Sequence, residues 1–365
     1  MLTKNEERIL NLLKENPFLS QKEIADSLGI NRSTVATLIS ALTDKHYIMG
    51  RAYVLNQAAE VISIGAMNVD RKFMLKGSLK LGTSNPITSS QTLGGVARNV
   101  SENLGRLGCK VSLISLAGKD KEYEWIKDQS SPFVSFQFVR QLEGFATGNY
   151  SAILDKTGEM QIGLADMDIY EQMSLSWIQD YYSVLLESRA IVVDLNIPYQ
   201  VLEYIIRLAK QKNLQLYIVP VSGPKMDHLP KDLEGVDGII VNLDESQAFF
   251  DITDDSKDLH DFADKWLATG VNQVVITQGH HSAIYKDRSG EWIELLPPSV
   301  EKVVDVTGAG DAFSAGMIYG WLNGMDSRSS LELAMANANL TITSQDTVCK
   351  NLDLTILMQH KHQLF

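Results

Sequence analysis

Two hydrophobic rhythms divide the chain. Near the N-terminus apolar residues recur at three- and four-residue spacing, and Ile9, Leu12 and Leu13 predict a helix over residues 4–15, ended by Pro17. Ser20-Gln21-Lys22-Glu23 predicts a second helix running to Leu28, because the hydroxyl and the carboxylate three residues on can each satisfy a free backbone N–H. Gly29 supplies a turn, and Asn31 caps a third helix from Arg32 to about Asp44, with Val35, Leu38, Ile39 and Leu42 on one face. Tyr47-Ile48-Met49 and Arg51-Ala52-Tyr53-Val54-Leu55, joined through Gly50, read as two short strands. From Val61 onward the rhythm changes. Val61–Gly65, Val111–Ile114, Ala190–Val193, Leu216–Val219, Gly238–Val241 and Gln273–Ile276 are short β-branched runs, most of them separated by helix-length segments such as Tyr199–Gln211 and Asp258–Thr269. Strands buried on both faces and alternating with helices predict a mainly parallel sheet in a three-layer α/β domain. The expected organisation is therefore a helical domain over residues 1–56, a linker over 57–60 and an α/β domain over 61–365.

Composition narrows the class. No stretch approaches the roughly 18 uninterrupted apolar residues of a membrane helix, and the charged first residues do not read as a secretory signal. The two cysteines, Cys109 and Cys349, lack ligand spacing. A soluble cytoplasmic protein without a membrane partner is expected. Residues 1–56 hold 7 Lys+Arg and 6 Asp+Glu, whereas the chain as a whole carries a net charge of −12. The acidic main body is unsuited to a polyanion, so any nucleic-acid contact falls to the N-terminal domain.

The segment richest in chemistry is Asp305-Val306-Thr307-Gly308-Ala309-Gly310-Asp311-Ala312-Phe313. Small residues entering a helix let backbone N–H groups approach a phosphate, and the helix N-terminus adds partial positive charge. Asp311 in that first turn would repel an anion unless it took a proton from an attacking hydroxyl. This segment is similar to the second signature of the ribokinase/PfkB-like carbohydrate kinases, and Gly94-Gly95-Val96-Ala97-Arg98-Asn99, continuing VSENLGRLG, is similar to the first. The G-x-x-x-x-G-K-[ST] phosphate loop is absent from the sequence.

The resemblance implies an ATP-dependent kinase of ribokinase-like fold with a small β lid. It makes Asp311 the base and Gly308, Ala309 and Gly310 the anion hole. A sugar would lie between Asn68, Asp70, Gly94, Gly95 and Asn99. Asn242, Thr277, Gly279 and Asn337 would meet ATP, Glu245 would reach Mg2+ through water, and Asp305 would help to hold a monovalent cation such as K+. The Ala146–Gly163 segment would contribute to the lid and pair between subunits of a homodimer. The form of the first signature, the stretch from Thr147 to Asp166 and the later Asp346-Thr347-Val348 resemble the pseudouridine kinase branch of the family. Thr147 and Asp166 are accordingly expected to meet the base of a nucleoside, and the Asn196 amide, both donor and acceptor, to serve either a uracil edge or a ribose hydroxyl. Val219 and Tyr123 depart from residues usual in the family, which bears on substrate geometry and rate. His280-His281 lacks metal-ligand spacing, and His360-Lys361-His362 reads as a solvated tail.

Residues 1–56 resemble the winged helix-turn-helix domains of bacterial regulators. That likeness places Asn31, Arg32, Ser33, Thr34 and Thr37 against DNA bases and Arg51 against a phosphate. Three functions stay open: a kinase acting on pseudouridine, a kinase for another nucleoside or a free sugar such as ribose, and a regulator whose kinase-like body only senses ligand.

Overall fold

The computed structural model describes residues 2–16, 18–45, 47–48, 59–252, 258–300 and 302–365. The chain divides into two compact units between Gln57 and Ala58. In the first, Lys4–Glu15 (α1), Gln21–Leu28 (α2) and Arg32–Asp44 (α3) enclose a core of Ile9, Ile24, Ala25, Val35 and Leu42. Reciprocal capping boxes start α1 (Thr3 with Glu6) and α2 (Ser20 with Glu23), and Gly29 ends α2 at φ 66°, where a side chain would be strained. Lys45, just after α3, pairs with the buried Glu6 at 2.7 Å. Asn31 stands at the N-cap of α3, but its side chain makes no capping hydrogen bond, contrary to expectation. The second expected wing strand, including Arg51, lies outside the described residues.

The second unit runs β1 (Val61–Ile64), β2 (Asn68–Leu75), β3 (Ile87–Gly94), α4 (Val96–Arg106), β4 (Val111–Gly118), α5 (Lys121–Ser130) and β5 (Val134–Leu142). It continues through β6 (Asn149–Leu154), β7 (Met160–Asp166), α6 (Leu175–Gln179), α7 (Tyr182–Glu187), β8 (Ala190–Asp194), α8 (Tyr199–Lys212) and β9 (Gln215–Val219). Then follow β10 (Gly238–Asn242), α9 (Leu243–Phe250), α10 (Leu259–Ala268), β11 (Gln273–Thr277), β12 (Ala283–Asp287) and β13 (Trp292–Leu295). The unit closes with α11 (Ala309–Leu322), α12 (Ser327–Ile342) and α13 (Leu354–Leu364).

One sheet has the order β13-β12-β11-β10-β9-β8-β1-β4-β5, parallel from β5 to β11 and antiparallel through β12 and β13. Alternate side chains along its strands point to opposite faces. Ile62, Ile64, Ile191, Val193, Ile218 and Ile276 join one core with α8 and α10, while Val61, Val192, Tyr217 and Val275 join another with α4, α11 and α12. Each face is thus covered, which is the expected three-layer arrangement, and ligands in such sheets collect beyond the strands' carboxyl ends.

A second sheet, β3-β2-β6-β7, stands apart from the first as a lid. The expected lid segment, Ala146–Gly163, accounts only for β6 and the first part of β7. Strands β2 and β3 complete the lid, and Asn68 and Asp70 are residues of β2. The tail reading of residues 360–362 also needs correction: α13 packs against α12, with His360 Nε2 2.8 Å from Asn339 Oδ1 and Lys361 Nζ 3.3 Å from Glu332. Among the described residues no helix is long and apolar enough to cross a membrane.

Candidate active site

The site begins where β1 ends. Gly65 releases the chain toward the lid, and the buried Asp194 at the end of β8 accepts hydrogen bonds from Ala66 N and Ala97 N at 3.0 Å and from Asn196 N at 2.8 Å. A Cβ on Gly65 would lie 2.3 Å from that carboxylate. Burial raises the proton affinity of Asp194 against the lowering effect of these bonds. Tyr170 adds a second tie, its hydroxyl accepting from Met67 N at 3.0 Å and donating to Met67 O. Asn68 and Asp70 leave this junction on β2, and Asn68 Nδ2 donates to Asp70 Oδ1 at 2.5 Å. Register pairs Asn68 with Gly94 across the lid, and a Cβ on Gly94 would fall 2.3 Å from Asp70 Oδ2. Only glycine leaves room for the carboxylate there.

Gly95, at φ 92°, turns the chain from β3 into α4, whose first turn carries Arg98 and Asn99. Arg98 is buried and multiply bonded: Nη1 to Glu102 Oε2 at 2.7 Å, Nη2 to Leu93 O at 2.8 Å and Thr347 Oγ1 at 3.0 Å, and Nη2 also to Asn99 Oδ1. Because Asn99 Oδ1 receives the guanidinium, its Nδ2 is directed to Asp311 Oδ2, which it meets at 2.6 Å. A second layer supports this pair. Asn103 Nδ2 donates to Asn99 O at 2.9 Å, and Asn337 Nδ2 donates to Asn103 Oδ1 at 3.0 Å and Ala312 O at 2.7 Å.

Asp311 lies in the first turn of α11. Gly308 precedes that helix at φ 84°, with Thr347 O only 2.1 Å from where its Cβ would be. The Ala309 N–H is spent on Val306 O at 3.2 Å. By helix geometry, the N–H groups of Gly310 and Asp311 are the ones turned toward an incoming anion. Burial pushes the Asp311 carboxyl up to about 7, against the hydrogen bond from Asn99 and the charge of Arg98, with Asp194 and Asp70 adding to the rise. Asp70 is pushed up to about 6, again mainly by burial. A carboxyl titrating near neutrality can accept a hydroxyl proton, while one bonded to Asn68 can receive sugar hydroxyls.

Other expected site residues divide. Asn242 and Thr277 lie side by side at the carboxyl ends of β10 and β11, and Gly279 follows in an exposed turn at φ 56°. Asn242 and Glu245 form a capping box on α9, with Asn242 N 2.9 Å from Glu245 Oε2 and Glu245 N 2.8 Å from Asn242 Oδ1. Burial pushes the Glu245 carboxyl up to about 7. Asn337 is fully buried between α12, α11 and α4 rather than beside a nucleotide. Thr147 is buried too, its hydroxyl donating to Asp120 at 2.7 Å and accepting from Gly118 N at 3.0 Å. That engagement is structural and leaves no hydroxyl for a base. Asp166 stands exposed at the lid's end, across from Asn149, and Asn196 is buried beside Asp194. The departures Val219 and Tyr123 are core residues. The Asp305 carboxylate, expected to help hold a monovalent cation, pairs with Lys72 Nζ, which also meets Thr307 Oγ1 at 2.8 Å.

Sequence reasoning missed Arg98, Tyr170, Asp194 and Lys72. For Lys72 a signal existed, since residues two apart on a strand share a face and Asp70 was already assigned. Among the described residues no group of three or more His, Cys, Asp or Glu could hold a metal ion. A lone carboxylate such as Glu245 suits magnesium, which keeps water and takes its remaining ligands from phosphates.

Fold and site together define a sugar or nucleoside kinase of the ribokinase-like type. Residues 58–352 match the pfkB family carbohydrate kinases, and the chain belongs to that family. Residues 2–49 match a winged helix-turn-helix DNA-binding family. The chain is 28% identical over 346 residues to YeiI, an uncharacterised sugar kinase of Escherichia coli, covering 94% of each chain. It is 30% identical over 302 residues to the pseudouridine kinase of the same organism, covering 81% of this chain and 94% of that one. Among solved structures, Arabidopsis thaliana ribokinase, complexed with ribose and ATP, superposes with a TM-score of 0.72 at 18% identity, over 84% of this chain and 99% of that one. That likeness establishes the fold.

Proposed function

We propose that this chain transfers the γ-phosphoryl group of ATP to the 5′-hydroxyl of pseudouridine. The observation that carries the catalytic part is the hydrogen bond from Asn99 to Asp311, which joins the first signature to a carboxyl poised near neutrality at a helix N-terminus. Similarity to the Escherichia coli pseudouridine kinase supports the choice of acceptor.

Asp70 and Asn68 hold the ribose diol beside the Gly94 backbone, which directs the 5′-hydroxyl toward Asp311. As the hydroxyl oxygen bonds to the γ-phosphorus, the bond to the β-phosphate oxygen breaks, ADP leaves with that electron pair and Asp311 takes the proton. The Gly310 and Asp311 N–H groups, with the N-terminus of α11, stabilise charge on the transferred group. Glu245 would hold magnesium through water, and the bound ion would supply neutralisation of phosphate charge. Asn242, Thr277 and Gly279 receive the nucleotide at the strand ends. Asn196 and the lid residue Asp166 read the base. The exposed Met160 and Leu164 favour pairing of lids in a homodimer.

The N-terminal unit is proposed to bind DNA through the start of α3. Asn31, Arg32, Ser33, Thr34 and Thr37 are all exposed, and the Asn31 side chain is free of a capping bond. A panel of pseudouridine, uridine, other nucleosides and ribose, assayed with ATP and magnesium, tests the acceptor. Pseudouridine should give the highest kcat/KM. Equal turnover of free ribose would show that the base is not read, because sites built to hydrogen-bond a polar group reject its absence strongly.

A further inference from the structure

Lys72 is two residues beyond Asp70 on β2, so both point from the same lid face. Its ammonium reaches across to the loop immediately before the anion hole, where it closes an ion pair with Asp305 and meets Thr307 Oγ1 at 2.8 Å. The same Asp305 carboxylate accepts Thr307 N at 3.0 Å and Thr307 Oγ1 at 2.7 Å through Oδ1. Asp305 therefore spends one oxygen on its own loop and the other on Lys72. Burial alone would raise its proton affinity, yet the Lys72 and Thr307 hydrogen bonds hold it below the ordinary carboxylate range.

This arrangement does not fit a resident monovalent cation. Such an ion would need the oxygen that Lys72 occupies, and two cations sharing one carboxylate would repel each other. The electrostatic requirement for a cation is nonetheless real. Asp305 and Asp311 stand on either side of an anion hole meant for a phosphoryl group, and an unneutralised Asp305 would oppose the anion. The ammonium meets that requirement and also fixes Thr307, the residue before Gly308, where the backbone turns into α11.

We propose that Lys72 is a tethered replacement for the monovalent cation of the anion-hole loop, so that phosphoryl transfer in this chain is independent of potassium. The cation is carried by the lid, 233 residues away in sequence from its carboxylate partner. Lid position and the charge of the anion-hole loop are consequently one variable. An ammonium has three N–H donors, of which Asp305 and Thr307 use two, leaving one for an oxygen of the incoming phosphoryl group.

The proposal rests on the kinase reading for its activity test, so a second measurement needs no acceptor. Wild type, Lys72→Ala and Lys72→Arg are compared at constant ionic strength in potassium chloride and in tetramethylammonium chloride. Turnover of the best acceptor in the panel should differ less than about twofold between the salts for wild type and Lys72→Arg. Lys72→Ala should lose about tenfold or more in tetramethylammonium and recover part of it in potassium, in keeping with the loss of one charge-stabilising group. Thermal melting without substrates should show stabilisation by potassium over tetramethylammonium in Lys72→Ala alone. Potassium activation of wild type by about tenfold, or potassium-specific stabilisation of wild type, would overturn the proposal, as would full potassium-free turnover by Lys72→Ala. If no acceptor is phosphorylated, the kinase reading fails and the melting comparison still decides the cation question.

Discussion

Replacing Asp311 by Asn separates chemistry from architecture. The amide keeps the size of the carboxyl, and its oxygen can still accept the Asn99 Nδ2 bond seen at 2.6 Å. What it cannot do is take a proton. Removal of a general base costs 10²–10⁴-fold, so kcat should fall by at least about 10²-fold with ATP binding little changed. Stability should move the other way. A carboxyl shifted from 3.8 to about 7 by burial opposes folding, when ionised, by about 4 kcal/mol at 1.36 kcal/mol for each tenfold change in proton affinity. Asp311 is only partly buried, and solvent screening reduces this to about 2 kcal/mol. Because the folded form holds its proton more tightly than the unfolded form, wild type is relatively favoured at low pH and loses that stability as pH rises through about 7. The Asp311→Asn variant should therefore melt about 3–5 °C above wild type at pH 8, with the gap narrowing toward pH 5. Differential scanning fluorimetry across pH, beside a coupled ADP-release assay, measures both. More than a tenth of wild-type turnover would remove Asp311 as the base. An unchanged melting temperature at pH 8 would show that its carboxyl is not desolvated.

Asp70→Ala should weaken every ribose-bearing acceptor alike, by about tenfold or more in kcat/KM, since it leaves the diol without its charged acceptor; a loss confined to one nucleoside would place Asp70 at the base instead. Gly308→Ala should depress both folding yield and activity, because the added carbon meets Thr347 O at 2.1 Å on a left-handed backbone; wild-type melting would contradict that packing. Arg32→Ala should reduce affinity for the gene's own upstream DNA and flatten its salt dependence by about one phosphate contact while sparing phosphorylation. Absence of salt-sensitive DNA binding by the full chain would leave the N-terminal unit as an appendage.

Much of the main sheet could be read in advance because its strands are buried on both faces and must be continuously apolar, as in Val61–Ile64 and Ala190–Val193. The lid obeys no such constraint. Strand β3, ITSSQTLG, is exposed along most of its length, so its sequence carries neither a buried run nor strict alternation. The antiparallel β12 and β13 were equally silent, β12 being buried only over its first three residues and β13 only at its last, so that neither carries a continuous buried run. Within the site, residues grouped by local motif were legible, Gly308 to Asp311 above all. Roles set by distant partners were not. Thr147 depends on Asp120, Asn337 on Asn103, and Asp305 on Lys72 from the other sheet. The Asn242–Glu245 box is a helix start legible in its own spacing, since a side-chain acceptor followed three residues on by Glu is a capping box.

Asp194 acts as a datum from which three stretches of chain are measured. Its two oxygens locate the exit from β1, the entry to α4 and the turn carrying Asn196, so the residues proposed to face the acceptor inherit their spacing from one side chain. Lengthening it by a single methylene, as in Asp194→Glu, would displace all three together, against a Gly65 that already leaves no clearance. A pocket gauged this way resists piecemeal remodelling at its floor. On the proposed reading, acceptor preference is free to drift instead through the lid's outer strands, whose residues answer to no such common reference.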